Sequence, residues 1–186
     1  MSYSGDRILL SSQREGQVSR FRMWVMLAVP LAAILFQVYV PLFFQFLGFL
    51  EMPLLVVVYF ALMRRSQISG LVAGALVGLA QDSLSKNPLG MFGIVKTLVG
   101  YFAASVGMRL DVEHGLIRLP LVFFFFVFHQ FVYWVMARAL LRQQLVFDLP
   151  RTLVIGVLNA VVGVALFMFL DKLRERAYTS RPRGLN

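Results

Sequence analysis

The sequence predicts an all-α polytopic membrane protein, a bundle of about six transmembrane helices, and three observations carry that expectation. Hydrophobic residues make up 59% of the 186 and charged residues only 15%, against about 45–50% and about 25% in a soluble domain. The apolar residues fall into several long runs, and the mean hydropathy is +0.76. The basic residues, which give a net charge of +9, cluster at the ends of those runs, where they orient spans in a bilayer.

Six apolar segments can be drawn, at about 23–47, 53–63, 69–84, 89–108, 119–141 and 150–171. Residues 1–22 form a polar N-terminal tail and residues 172–186 a basic C-terminal tail. The breaks between segments are too short to divide domains, and no internal repeat is present. The first segment is longer than the roughly 7–15 residues of a signal-peptide core, so it reads as a retained span bent at Pro30 and Pro41. Glu51 with Pro53, and Asp148 with Pro150, read as helix starts, with an acid near the N-terminus and proline in the first turn.

Segments two and three are short for a hydrocarbon core of about 30 Å. A re-entrant hairpin would put Arg64 and Arg65 inside hydrocarbon, at roughly 2.5–3.5 kcal/mol each. Two short spans, with that pair at the interface, cost less. With six spans and the N-terminus inside, thirteen of the 18 Lys and Arg face the cytoplasm, the asymmetry expected when both termini are cytoplasmic. Trp24 on span one and Tyr133–Trp134 on span five sit where interfacial aromatic belts form. Phe123 to Phe126 step round most of a helix, so at least one of them must face lipid or a partner.

No catalytic, cofactor-binding or metal-ligating constellation stands out. Cysteine is absent, which removes disulfides and thiol chemistry. The two histidines, His114 and His129, lie on different segments, and neither phosphate loop nor nucleophile elbow occurs. Nucleic-acid binding is disfavoured, because the aromatic residues lie inside apolar runs and not among the basic clusters.

The informative stretch runs from Gly70 to Gly107. Gly70, Gly74 and Gly78 form a ladder on one face of span three, and Gly93, Gly100 and Gly107 recur on span four. Such faces let backbones approach closely in lipid, either within the bundle or against another subunit. Gly156, Ala160 and Gly163, with Asn159, repeat the device weakly on span six. Asp82 closes span three and Lys96 lies two turns into span four, across a Ser-Lys-Asn-Pro-Leu-Gly turn. The expected outcome is an antiparallel hairpin whose register is fixed by an Asp82–Lys96 ion pair; the alternative is a coupling-ion or substrate site at these two charges.

The run beginning at Pro53, the Gly70–Gly74–Gly78–Leu79–Asp82 series, the Leu89–Gly90 turn and Leu98–Gly100–Tyr101 resemble the MreD family of rod-shape-determining membrane proteins over about residues 50–106. That resemblance implies a non-enzymatic scaffold in the bacterial inner membrane. It would bind an MreC-like membrane protein and, through it, work with MreB filaments and RodA with its class B penicillin-binding protein. It also implies a fold similar to the six-helix substrate-binding components of energy-coupling-factor vitamin transporters. The family brings no catalytic residues, and the resemblance does not extend to Lys96, whose pairing is read from this sequence alone. On this reading the glycine faces and the aromatic span would pack against partner helices or a second copy. The alternative is a vitamin-binding transporter component that uses the bundle's cavity.

Overall fold

The computed structural model describes residues 23–85, 88–110, 112 and 115–179. The N-terminal tail, Lys86, His114 and residues 180–186 therefore lie outside the described residues. Helix α1 (Met23–Phe43) leads through a 3₁₀ turn (Gln45–Phe49) into α2 (Met52–Arg64); α3 (Gln67–Leu84), α4 (Met91–Arg109), α5 (Gly115–Leu141) and α6 (Leu149–Thr179) follow. Among the described residues there are no strands.

Helix α2 is the axis of the bundle. Every residue from Pro53 to Met63 is buried, which explains an apolar run with no polar stripe: a helix surrounded by others has no face to leave wet. Pro53 sits in its first turn, where a missing N–H costs nothing. Arg65 ends the helix in the left-handed region (φ 49°), and Ser66 at once caps α3, accepting the Ser69 N–H at 3.5 Å. With only Arg65 and Ser66 between them, α2 and α3 run antiparallel.

Helix α3 returns along α4 at backbone contact. A Cβ built on Gly70, Gly74 or Gly78 would come within 3.0 Å of the backbone of Gly100, Lys96 or Phe92. Gly100 lies against Gly70 in return, Gly107 against Leu62 of α2, and Gly93 under the Leu79 side chain. All six glycines are consumed inside the bundle, so none is left for a partner.

Helices α5 and α6 close the far side, where Gly163 receives Val122 and Gly156 receives Phe123. Of the four consecutive phenylalanines, Phe125 and Phe126 are buried and Phe124 faces outward. Helix α6 runs to Thr179, so residues 172–179, expected as tail, continue the helix. Arg64 lies beside Met26 and Arg118 beside Asp171, so the start of α1 and the end of α6 share one end of the bundle.

Among the described residues, five stretches are long and apolar enough to cross a membrane: Trp24–Phe43, Gln45–Arg64, Met91–Arg109, Ile117–Leu141 and Leu149–Leu173. The short second segment reaches this length by joining the 3₁₀ turn to α2. The expected sixth, α3, is a full helix but a less apolar one, since it carries Gln67, Ser69, Gln81, Asp82 and Ser83. Its place in the bundle comes from its glycine contact with α4.

Candidate functional site

Buried polar groups gather at the end of the bundle away from the two termini. They surround the break between the 3₁₀ turn and α2, where the chain leaves helical geometry and exposes backbone groups. In a membrane, such groups need partners from the protein itself. Two helices supply them, and a third pairs the adjoining Glu51 side chain. Asn159 of α6 accepts the Glu51 N–H at 2.9 Å and donates to the Phe49 carbonyl at 2.8 Å. Gln37 of α1 accepts the Met52 N–H at 3.2 Å. Lys96 of α4 meets the Glu51 carboxylate, Nζ to Oε2, at 3.8 Å.

Lys96 is fully buried. Besides Glu51, its ammonium lies 3.4 Å from His129 Nε2 and 4.2 Å from the centre of the Phe92 ring. Phe92 stacks in turn on His129, at 5.9 Å and 7°. The long aliphatic stem lets this cation reach the end of the bundle where the acid sits. Glu51 Oε2, Gln81 Oε1 and His129 Nδ1 are buried without a hydrogen-bond partner among the described residues.

The expected Asp82–Lys96 ion pair is not what forms. Asp82 turns instead to the first turn of α4: Oδ2 accepts the N–H of Gly90 at 3.0 Å and of Gly93 at 2.9 Å, and Oδ1 that of Phe92 at 3.1 Å. A helix start has four N–H groups with no internal partner and a partial positive charge, so a carboxylate delivered from the adjacent helix satisfies both needs. Charge-assisted bonds of this kind are about twice as strong as neutral ones. Asp82 still sets the register of the hairpin, but through backbone amides.

The turn residues follow from the same geometry. Gly90 holds φ +94°, which a residue with a Cβ rarely adopts, and this aims its N–H at Asp82. Leu89 beside it is exposed and Tyr101 partly so; neither takes part in the polar cluster.

A second polar group ties the opposite end. Arg118 donates to Asp171 Oδ2 at 2.5 Å and through Nε to the Val112 carbonyl at 2.8 Å, while the Tyr59 hydroxyl donates to Asp171 Oδ1 at 2.9 Å. Helices α2, α5 and α6 are thereby joined.

Sequence reasoning singled out Lys96 but missed its partner. Between Met23 and Met108 the only acids are Glu51 and Asp82, and sequence proximity favoured the wrong one. Asn159, read as a companion to small residues, is the residue that closes the break. Among the described residues no three His, Cys, Asp or Glu side chains gather as a metal site would require.

The six helices of the described residues, with their buried charges spent inside the bundle, define a polytopic membrane protein. Its sequence matches the family model described as rod shape-determining protein MreD over residues 18–176. The chain belongs to that family, whose role is in rod shape determination. No curated protein and no solved structure matches.

Proposed function

We propose that the protein is a non-enzymatic scaffold of the cell-elongation complex in the bacterial inner membrane, with both termini in the cytoplasm. On this reading it binds an MreC-like membrane protein and helps position peptidoglycan synthases, RodA and its class B penicillin-binding protein among them, in register with MreB filaments. The observation that carries the reading is the family match over residues 18–176. The economy of the bundle supports it. Glu51, Asp82, Lys96, Arg118 and Asp171 each bond another part of the same chain, the pattern of a frame that holds its shape. Binding is then left to the outward surface, where α1 presents Trp24, Leu27, Leu31 and Tyr39 and α5 presents Phe124 and Phe131. The cytoplasmic assignment rests on the bias of Lys and Arg toward one end.

The test is affinity purification of the full chain from native membranes in mild detergent, with depletion of the protein in parallel. Recovery of an MreC-like protein and loss of rod shape on depletion are expected. Recovery of no such protein, together with thermal stabilisation by a vitamin, would replace the scaffold with a transporter component, because a ligand selective for the folded state raises apparent stability.

A further inference from the structure

A cleft of about 340 Å³ opens between α1 and α3 with α2 as its floor, and Arg64 and Ser69 are among its lining residues. We propose that it holds one acyl chain of an anionic phospholipid whose phosphate is bound by Arg64. Three observations fix the occupant.

The first is volume. On the floor Val57 and Phe60 are only 1% and 4% exposed, whereas Leu27 and Leu76 on the rims are 73% and 63% exposed. The cleft's 340 Å³ or so is a fraction of the roughly 1,200 Å³ that a helix about 10 Å across fills over about 16 Å of length, whereas a single hydrocarbon chain is slim enough to lie in it. Length is the second. From Ser69 to Ala80 the α3 wall rises about 16 Å, half of a hydrocarbon core of about 30 Å. That is the depth of one leaflet, where a crossing helix needs a groove through both. The far end is closed by Ile34, Val57 and Val77, which pack together with Ala80.

Charge is the third. Arg64 is half-buried and meets no carboxylate among the described residues; its Nη1 lies 3.5 Å from the Met26 sulfur, a weak acceptor. Arg65 follows directly, and α3 starts two residues later with its N–H groups directed to the same end. Two cations that face no acid among the described residues favour a lipid of net negative charge, and guanidinium matches phosphate in a two-pronged fashion.

The experiment is native mass spectrometry of the full chain reconstituted with equimolar phosphatidylglycerol and phosphatidylcholine. The wild type should retain phosphatidylglycerol about fivefold over phosphatidylcholine. Arg64→Gln should bring the ratio near one, with Arg64→Lys in between, and Ala73→Phe, which fills the cleft, should lower retention of both lipids. A benzophenone amino acid in place of Leu76 should capture lipid. Parity between the two lipids in the wild type overturns the proposal without recourse to any variant. So does an unchanged ratio in Arg64→Gln, or capture of a protein helix at position 76.

Discussion

Removing the Asp82 carboxylate tests what holds the α3–α4 hairpin. In Asp82→Ala the N–H groups of Phe92 and Gly93 stay buried and lose their acceptor, and that of Gly90 loses its own at the edge. A buried unsatisfied donor costs about 1–3 kcal/mol, so the two buried amides together cost about 4 kcal/mol. Asp82→Asn should be milder. Its remaining oxygen can occupy the Oδ2 position and keep Gly90 and Gly93, while its amide group faces the Phe92 N–H, for a loss of about 2 kcal/mol. Unfolding in mixed micelles gives the stabilities, and hydrogen exchange over residues 90–93 gives the local effect. Both Asp82 variants should lose protection there, and Lys96→Met should keep it. In double-mutant cycles Glu51→Gln should couple to Lys96→Met more strongly than Asp82→Asn does, within the 0.5–3 kcal/mol found for residues in contact. If Lys96→Met also strips protection from 90–93, and the Asp82–Lys96 coupling is the larger, the capping account is wrong and the ion pair is real.

Three further outcomes are expected. Gly74→Val should destabilise by about 1–3 kcal/mol, because the new side chain meets the Lys96 carbonyl and the Thr97 Cα with no room to yield. Thermal unfolding checks this against Gly90→Ala, which meets no atom within 4 Å and should cost about 1–2 kcal/mol for its left-handed backbone alone. Asn159→Leu keeps the size but leaves the Glu51 N–H and Phe49 carbonyl unpaired; a loss of about 2–5 kcal/mol should appear with faster exchange at Glu51. Tyr59→Phe, which removes one bond to Asp171, should cost about 1 kcal/mol. Arg118→Gln should cost more, since it leaves Asp171 without its cation; denaturant titration of the two variants side by side gives the order.

The fold was legible where the physics is local. Apolar runs of membrane length mark helices regardless of what surrounds them, and the Arg64–Arg65 break shows itself through charge. The glycine ladder predicted a close-packed face, but not which helix would meet it. That depends on α3 folding back along α4, and the contact then consumes both faces. The polar site was least legible, because its bonds join residues remote in sequence. Glu51 reaches Lys96 only because α2 lies parallel to α4, and no periodicity within either segment reports that. Asp82 illustrates the opposite error: its nearness to Lys96 in sequence suggested a charge pair, while the unpaired amides at the start of α4 were nearer still.

The break at Phe49–Glu51 has a consequence for the order of assembly. Its backbone groups are completed by Asn159, 108 residues further along the chain from Glu51. At about 5–20 residues per second, synthesis takes roughly 5–20 s to cover that distance. During that interval, the first two helices are in the membrane with open hydrogen-bonding groups. The last helix thus acts as the closing member of the bundle, and a chain cut short before Asn159 would carry an unfinished seam.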